Sequence, residues 1–191
     1  MDLTGFWDLV ERSASAGEKD ARAAWLTARL VELPAEEITG FAVRLQEVRR
    51  RADTWLLWGA ANLLQRGLCS DEGFLHFRSW LVGRGREVFE RVVADPDELA
   101  GLECVRAVAR VPVSAWRVED WQEWEALDHV AATAHERVTG VRCSLEEALA
   151  AAGWRPVPAR SPHDEPWELE DPVESTRRLP RLTALLAGVT A

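Results

Sequence analysis

Residues 69–86, CSDEGFLHFRSWLVGRGR, gather carboxylates, an imidazole, guanidinium groups and aromatic rings in one short run. Ser70 suits a helix N-cap, and Asp71 and Glu72 suit the positive first turn that follows. On that helix Asp71 and Arg78, seven apart, share a face, and Glu72 and His76, four apart, can meet. As a site, Asp71, Glu72, His76 and Arg78 would engage a polar ligand, with Arg78 gripping a carboxylate or phosphate through paired hydrogen bonds. In a cleft the same cluster would suit hydrolysis or phosphoryl chemistry. As scaffold, they give a capped helix whose Asp71–Arg78 bridge fixes its packing, with Phe74, Phe77, Trp80 and Leu81 on its apolar side.

Gly83-Arg84-Gly85-Arg86 has the glycines and arginines of an anion-binding turn, where backbone N–H groups face a phosphate. It lacks P-loop spacing and follows a helix, so a helix–helix bend accounts for it better than a nucleotide site does. Trp55 and Trp58, three apart and near Arg44 and Arg49-Arg50-Arg51, could stack nucleic-acid bases. In so apolar a stretch they fit a core helix better. The ligand- or partner-binding candidates are therefore Asp71, Glu72, His76, Arg78, Trp80, Arg84, Arg86, Trp55 and Trp58. Glu72 and His76 are too few to hold a metal, HExxH is absent, and Glu125, His129 and Glu136 read as a solvated stripe. No metal or cofactor is expected. Cys69, Cys104 and Cys143 form no CxxC pair and read as free thiols. Cys69 would be reactive only if exposed beside a helix N-terminus; packing is the simpler reading.

A chain of 191 residues that is 47% hydrophobic can build one real core. The net charge of −9 argues against non-specific binding to a nucleic-acid backbone and suits basic partners. Lys19 is the sole lysine, and ten tryptophans accompany no tyrosine. No membrane-spanning run or signal peptide is evident, so a cytoplasmic protein is expected.

Apolar residues recur at helical spacing almost throughout. Helices are expected from Phe6, over 18–31, from Pro34 into the Arg49–Arg51 cluster, from an Asp53 cap to Gly67, over 71–82 and over 87–93. Asp95-Pro96-Asp97-Glu98 is a further start signal. Residues 108–113 read as one short strand or an extended linker. A long helix over 116–138 should align Trp121, Trp124, Leu127, Val130 and Ala134. Ser144-Leu145-Glu146-Glu147 reads as a capping box, and 180–186 as a short final helix. The expectation is an all-α, single compact domain of about eight helices over 1–155. An irregular, Pro-rich acidic segment and the terminal helix, 156–191, would pack on that core, with Trp167 pinned to the body.

Phe6-Trp7-Asp8-Leu9-Val10 resembles the "FWxLI" opening of the bacterial family of domain of unknown function 4240. Residues 69–90 resemble its central "CSDD.F..FR.WLI..GR..FE" signature, with Glu72 in place of the second Asp. Asp95-Pro96-Asp97-Glu98-Leu99, the stretch 134–140 and Leu179-Pro180-Arg181-Leu182 are also similar. The resemblance covers most of the chain and implies no catalytic residues. With no catalytic constellation complete, a protein-binding or regulatory module is the leading expectation, and another protein the expected partner. An enzyme using the signature-helix cluster is one alternative. A small-molecule or peptide receptor with a tryptophan-lined pocket, taking a small polar or anionic ligand, is the other. Nucleic acid and membrane are not expected partners.

Overall fold

The computed structural model describes residues 1–154 and 162–187, so the first part of the expected proline-rich segment lies outside the described residues. It is all-α: eleven α-helices and four 3-10 turns, with no strand among the described residues. Asp2 caps α1 (Leu3–Ser13), whose Phe6, Trp7 and Val10 are buried. α2 (Lys19–Val31) and α3 (Ala35–Arg51) follow, α3 with Glu36 and Glu37 in its first turn and Arg49, Arg50 and Arg51 in its last, as the helix dipole favours. α4 (Trp55–Leu64) leads to α5 (Asp71–Val82), the signature helix, whose Ser70 cap accepts from the Gly73 N–H. α6 (Arg86–Ala94), a 3-10 segment (Pro96–Gly101) and α7 (Glu103–Val108) come next. α8 (Ala126–Thr139), α9 (Ser144–Ala151), α10 (Pro172–Arg178) and α11 (Pro180–Ala187) complete the chain.

α8 lies against α2, α3 and α9, while the 3-10 segment gathers α4, α6, α7 and α11. α5 touches α3, α4 and α6, so the signature helix joins the two groups. Phe6, Phe41, Phe77, Phe89, Leu26 and Leu127 are among the fully buried side chains of the one continuous core.

Several expectations are corrected, each for a local reason. Eleven α-helices replace about eight, because short turns divide the chain more finely than its apolar spacing suggests. Thr54, not Asp53, caps α4, accepting from the Leu57 N–H at 3.0 Å, which releases Asp53 for an ion pair. The possible strand at 108–113 is instead the end of α7 and a turn into the 3-10 helix Val113–Ala115. Cys143, at φ 56°, stands at the N-cap of α9, while the Ser144 hydroxyl meets His135 Nδ1 at 2.6 Å and Thr139 Oγ1 at 2.9 Å. The long helix over 116–138 begins only at Ala126. Residues 116–125 hold only a 3-10 turn, Val118–Asp120, and are kept out of α-helix because the Val118 and Trp121 carbonyls accept from Lys19 Nζ at 2.9 and 3.0 Å, and the Trp124 N–H donates to the His76 carbonyl at 3.0 Å.

Two segments near the end of the chain are tied to distant elements. Asp164 accepts from the Trp55 and Leu56 N–H groups at the start of α4, and the Trp167 indole donates to the Trp55 carbonyl at 3.2 Å. The Trp167 ring lies on Gly59, where no Cβ fits. Buried Asp97 accepts from the Arg181 and Leu182 N–H groups at 2.9 and 2.8 Å and so caps α11, while the Arg181 guanidinium reaches Asp95, Asp97 and Glu98.

Candidate functional site

The signature helix carries its charges to different places. Asp71 and Glu72 are exposed in its first turn. Arg78 does not bridge to Asp71; its Nη1 meets Asp53 Oδ1 at 2.9 Å, and its guanidinium lies 4.9 Å above the Phe74 ring. The Arg78 cation is disfavoured by burial and favoured by Asp53. His76 does not pair with Glu72: its Nε2 stands 3.6 Å from Asp128 Oδ2 on α8. The other Asp128 oxygen accepts from Ser79 Oγ at 2.9 Å and from the Arg49 guanidinium, itself only 4% exposed. Burial lowers the Arg49 pKa and Asp128 opposes that shift. His76, Arg78 and Arg49, which the sequence offers for chemistry or its support, are thus engaged in pairs that join α3, α5 and α8 and the turn before α4.

The aromatic candidates form a ladder. Trp55 stacks on Trp58 at 5.3 Å, Trp58 on Phe74 at 5.2 Å, and Phe77 leans on Trp80 at 5.3 Å. Trp55 and Trp58 are half-buried, with the Trp58 indole donating to the Cys69 carbonyl at 3.2 Å. The Gly83–Arg86 stretch is the bend between α5 and α6, with Gly85 at φ 90°. Its Arg86 N–H, where a phosphate would sit, donates to Glu11 Oε1 at 2.9 Å, and the Arg86 side chain is exposed. Arg84 turns inward over the Trp80 ring at 5.2 Å.

What α5 and the bend hold in place is the tryptophan segment before α8. A Cβ on Gly83 would stand 2.7 Å from the Trp124 ring, so glycine lets that ring lie on the backbone. The Arg22 guanidinium covers Trp124 at 4.6 Å and donates to the Gly83 carbonyl at 2.9 Å. Burial, and then the neighbouring Arg84 charge, push Arg22 down to about 10. The Trp124 indole donates to the Lys19 carbonyl at 3.1 Å. Trp116 and Trp121 pack edge to face at 5.1 Å.

The pinned segment lines a cleft of about 580 Å³ at the start of α2, to which Trp121 and the largely buried Trp124 contribute. Asp20, Glu119, Glu123 and Glu125 bring carboxylates to it, against Lys19 and His129. Burial lowers the Lys19 pKa, with Glu119 and then Glu123 opposing, and its ammonium is occupied by the two carbonyls. Val118, 80% exposed, forms an apolar lip. Among the described residues no three His, Cys, Asp or Glu side chains converge as a metal site.

Cys69 is buried, and burial, then Glu123 and Asp71, push its thiol up to about 12. The packed reading holds over the reactive one. In native protein, alkylation at pH 8 should modify exposed Cys143 at least 100-fold faster than Cys69. Raising the pH from 7 to 9 should leave Cys69 nearly inert, because its thiolate stays scarce throughout; peptide mass mapping reads both rates.

A family model described as a protein of unknown function, DUF4240, matches residues 1–137. The chain belongs to that family. No curated protein and no solved structure matches it. The DUF4240 match spans α1 to most of α8, and hence the signature helix, the bend and the cleft-forming segment alike. No helix among the described residues is long and apolar enough to cross a membrane. Sequence reasoning placed Lys19, Val118, Glu119, Trp121 and Trp124 at no site. The chain's lone lysine and the Trp-rich, acidic stretch at 116–125 were the available signals, but they lie far apart in sequence and the helical reading of 116–125 hid their meeting.

Proposed function

We propose that this DUF4240 protein is a protein-binding module whose cleft takes a short basic and apolar segment of a partner. The observation that carries the reading is the cleft itself: tryptophan lining, exposed Val118 lip and an excess of carboxylates, in a chain of net charge −9. Aromatic rings recognise cations and apolar side chains alike, and carboxylates steer a basic segment toward them. Two of the signature helix's candidate residues support this reading indirectly, since His76 and Arg78 are engaged in internal pairs.

The test is calorimetric binding of a decapeptide library that varies charge and apolar content. Peptides joining Arg or Lys to Leu, Phe or Trp should bind, more weakly as salt rises. A Glu119→Lys/Glu125→Lys variant should lose at least tenfold in affinity. Equal binding of acidic peptides, no binding by any class, or unchanged affinity in the variant would overturn the reading.

A further inference from the structure

We infer that a second, smaller pocket behind the bend binds an amino-acid-sized carboxylate that also carries an N–H or O–H donor. The pocket shares Lys19 and Glu119 with the cleft, but the inference stands without the cleft reading, because Arg84, Cys104 and Gln122 line the pocket alone. The pocket, about 180 Å³, is lined by Trp80, Arg84, Cys104 and Gln122 together with Lys19 and the Glu119–Asp120 turn.

Two unpaired polar atoms point to a ligand. Arg84 Nε is buried without a hydrogen-bond partner. No carboxylate among the described residues pairs with the Arg84 guanidinium, whose polar contact is a 3.8 Å approach of Nη1 to the Cys104 sulfur. It stands close enough to Arg22 and Lys19 for its charge to disfavour both of theirs. Arg22 and the Lys19 ammonium are occupied by backbone carbonyls, which leaves the Arg84 guanidinium as the cation an incoming anion would meet. Gln122 is only 2% exposed, and its Oε1 is likewise buried and unpartnered. Its amide orientation is fixed, because Nε2 donates to the Asp120 carbonyl and the flipped amide would set oxygen against oxygen. Two residues that line the pocket thus hold an unpaired guanidinium N–H and an unpaired amide oxygen.

Both are costly to leave unmade in a desolvated site. A carboxylate on Arg84 with a donor on the adjoining atom reaching Gln122 Oε1 would satisfy both. An ammonium as that donor would also be drawn to the Glu119 carboxylate, Asp120 being paired with Arg117, which makes an α-amino acid the best fit. At about 30 Å³ for each water in the liquid, the pocket holds roughly six such volumes, the scale of a small or medium amino acid. The Trp80 ring and Val108 would receive its side chain.

Cys104 makes the pocket testable, since it lines the site while Cys143 is exposed and outside it. The twenty amino acids, glycolate and lactate, each at millimolar concentration, are screened for protection of the Cys104 thiol against iodoacetamide, with Cys143 as internal reference. At least one amino acid should slow Cys104 modification about tenfold and leave Cys143 unchanged. Arg84→Gln, which breaks no ion pair, should abolish that protection while the fold persists. Calorimetry of the same probes should show saturable binding to wild type and at least a tenfold loss in Arg84→Gln. No saturable binding by any probe, or protection that survives Arg84→Gln, overturns the inference. Neither result depends on whether peptides enter the cleft, because Glu125→Lys alone alters the cleft at a residue the pocket lacks, and protection of Cys104 should persist in that variant.

Discussion

Asp128→Ala is expected to destabilise the protein by about 3–5 kcal/mol, the cost of stranding one member of a buried ion pair. Arg49 is 4% exposed and is paired with Asp128; its remaining polar contact is Ser79 Oγ at 3.1 Å, and its Nε already lacks a partner. Removing the carboxylate leaves a buried, unpaired guanidinium between α3 and α5, and strips His76 and Ser79 of a shared neighbour. Desolvation of the stranded cation dominates the loss, since the attraction between the pair largely offsets the burial of both charges while they are together. Arg49→Met together with Asp128→Leu should therefore restore most of the loss, leaving a deficit of about 1–2 kcal/mol from imperfect packing. Urea unfolding of wild type, Arg49→Met, Asp128→Leu and the Arg49→Met/Asp128→Leu double variant gives the coupling directly, with Asp128→Ala measured alongside. A loss below about 1 kcal/mol for Asp128→Ala would mean that the cluster does not lock α3, α5 and α8 together.

Gly83→Ala has the second largest expected effect, and here two influences oppose. Gly83 has helical dihedrals, φ −61°, so alanine would gain about 0.4–1 kcal/mol by restricting the unfolded chain. Against this, the added Cβ would meet the Trp124 ring at 2.7 Å and the Trp80 carbonyl at 3.1 Å. Neither neighbour is a loose side-chain end: Trp124 is fixed by its indole bond to Lys19 and by Arg22, and the carbonyl is helix backbone. Overpacking of this kind costs about 1–3 kcal/mol and wins. The ring must move off α5, and the cleft lining moves with it. Gly83→Ala should lower stability by about 1–2 kcal/mol and abolish peptide binding, whereas Gly101→Ala, with nothing within 4 Å, should be nearly neutral in both. Thermal melts and calorimetry on the two variants separate steric from general effects.

The all-α architecture was legible because periodicity and caps agree along α1, α2, α3 and α5; Ser70 and the acidic turn after it announce α5 from sequence. The family was legible for the same stretch, whose unusual residue mixture is what a sharply defined helix junction requires. Partners across space were not. Asp71 and Arg78 share a helical face, but Asp53 comes from the α3–α4 connection and reaches Arg78 first. Glu72 and His76 have suitable spacing, but Asp128, more than fifty positions away, is nearer to the imidazole. The tryptophans at 116, 121 and 124 fit a helical count, yet a single lysine from α2 takes two of the carbonyls such a helix would need. The Asp97 cap on α11 joins two segments eighty-odd residues apart that look unrelated along the chain.

In the proposed function the signature helix acts as a scaffold, and binding occurs on the tryptophan segment it pins. Ten tryptophans give ten indole N–H signals, so one spectrum distinguishes the two surfaces. Uniformly ¹⁵N-labelled protein would be titrated with a basic, apolar decapeptide and each indole assigned by substitution. Saturable shifts of the Trp121 and Trp124 indoles are expected, with Trp55 and Trp58 unmoved. Shifts confined to Trp55 and Trp58, with Trp121 unchanged, would return the site to the signature face and contradict the proposal.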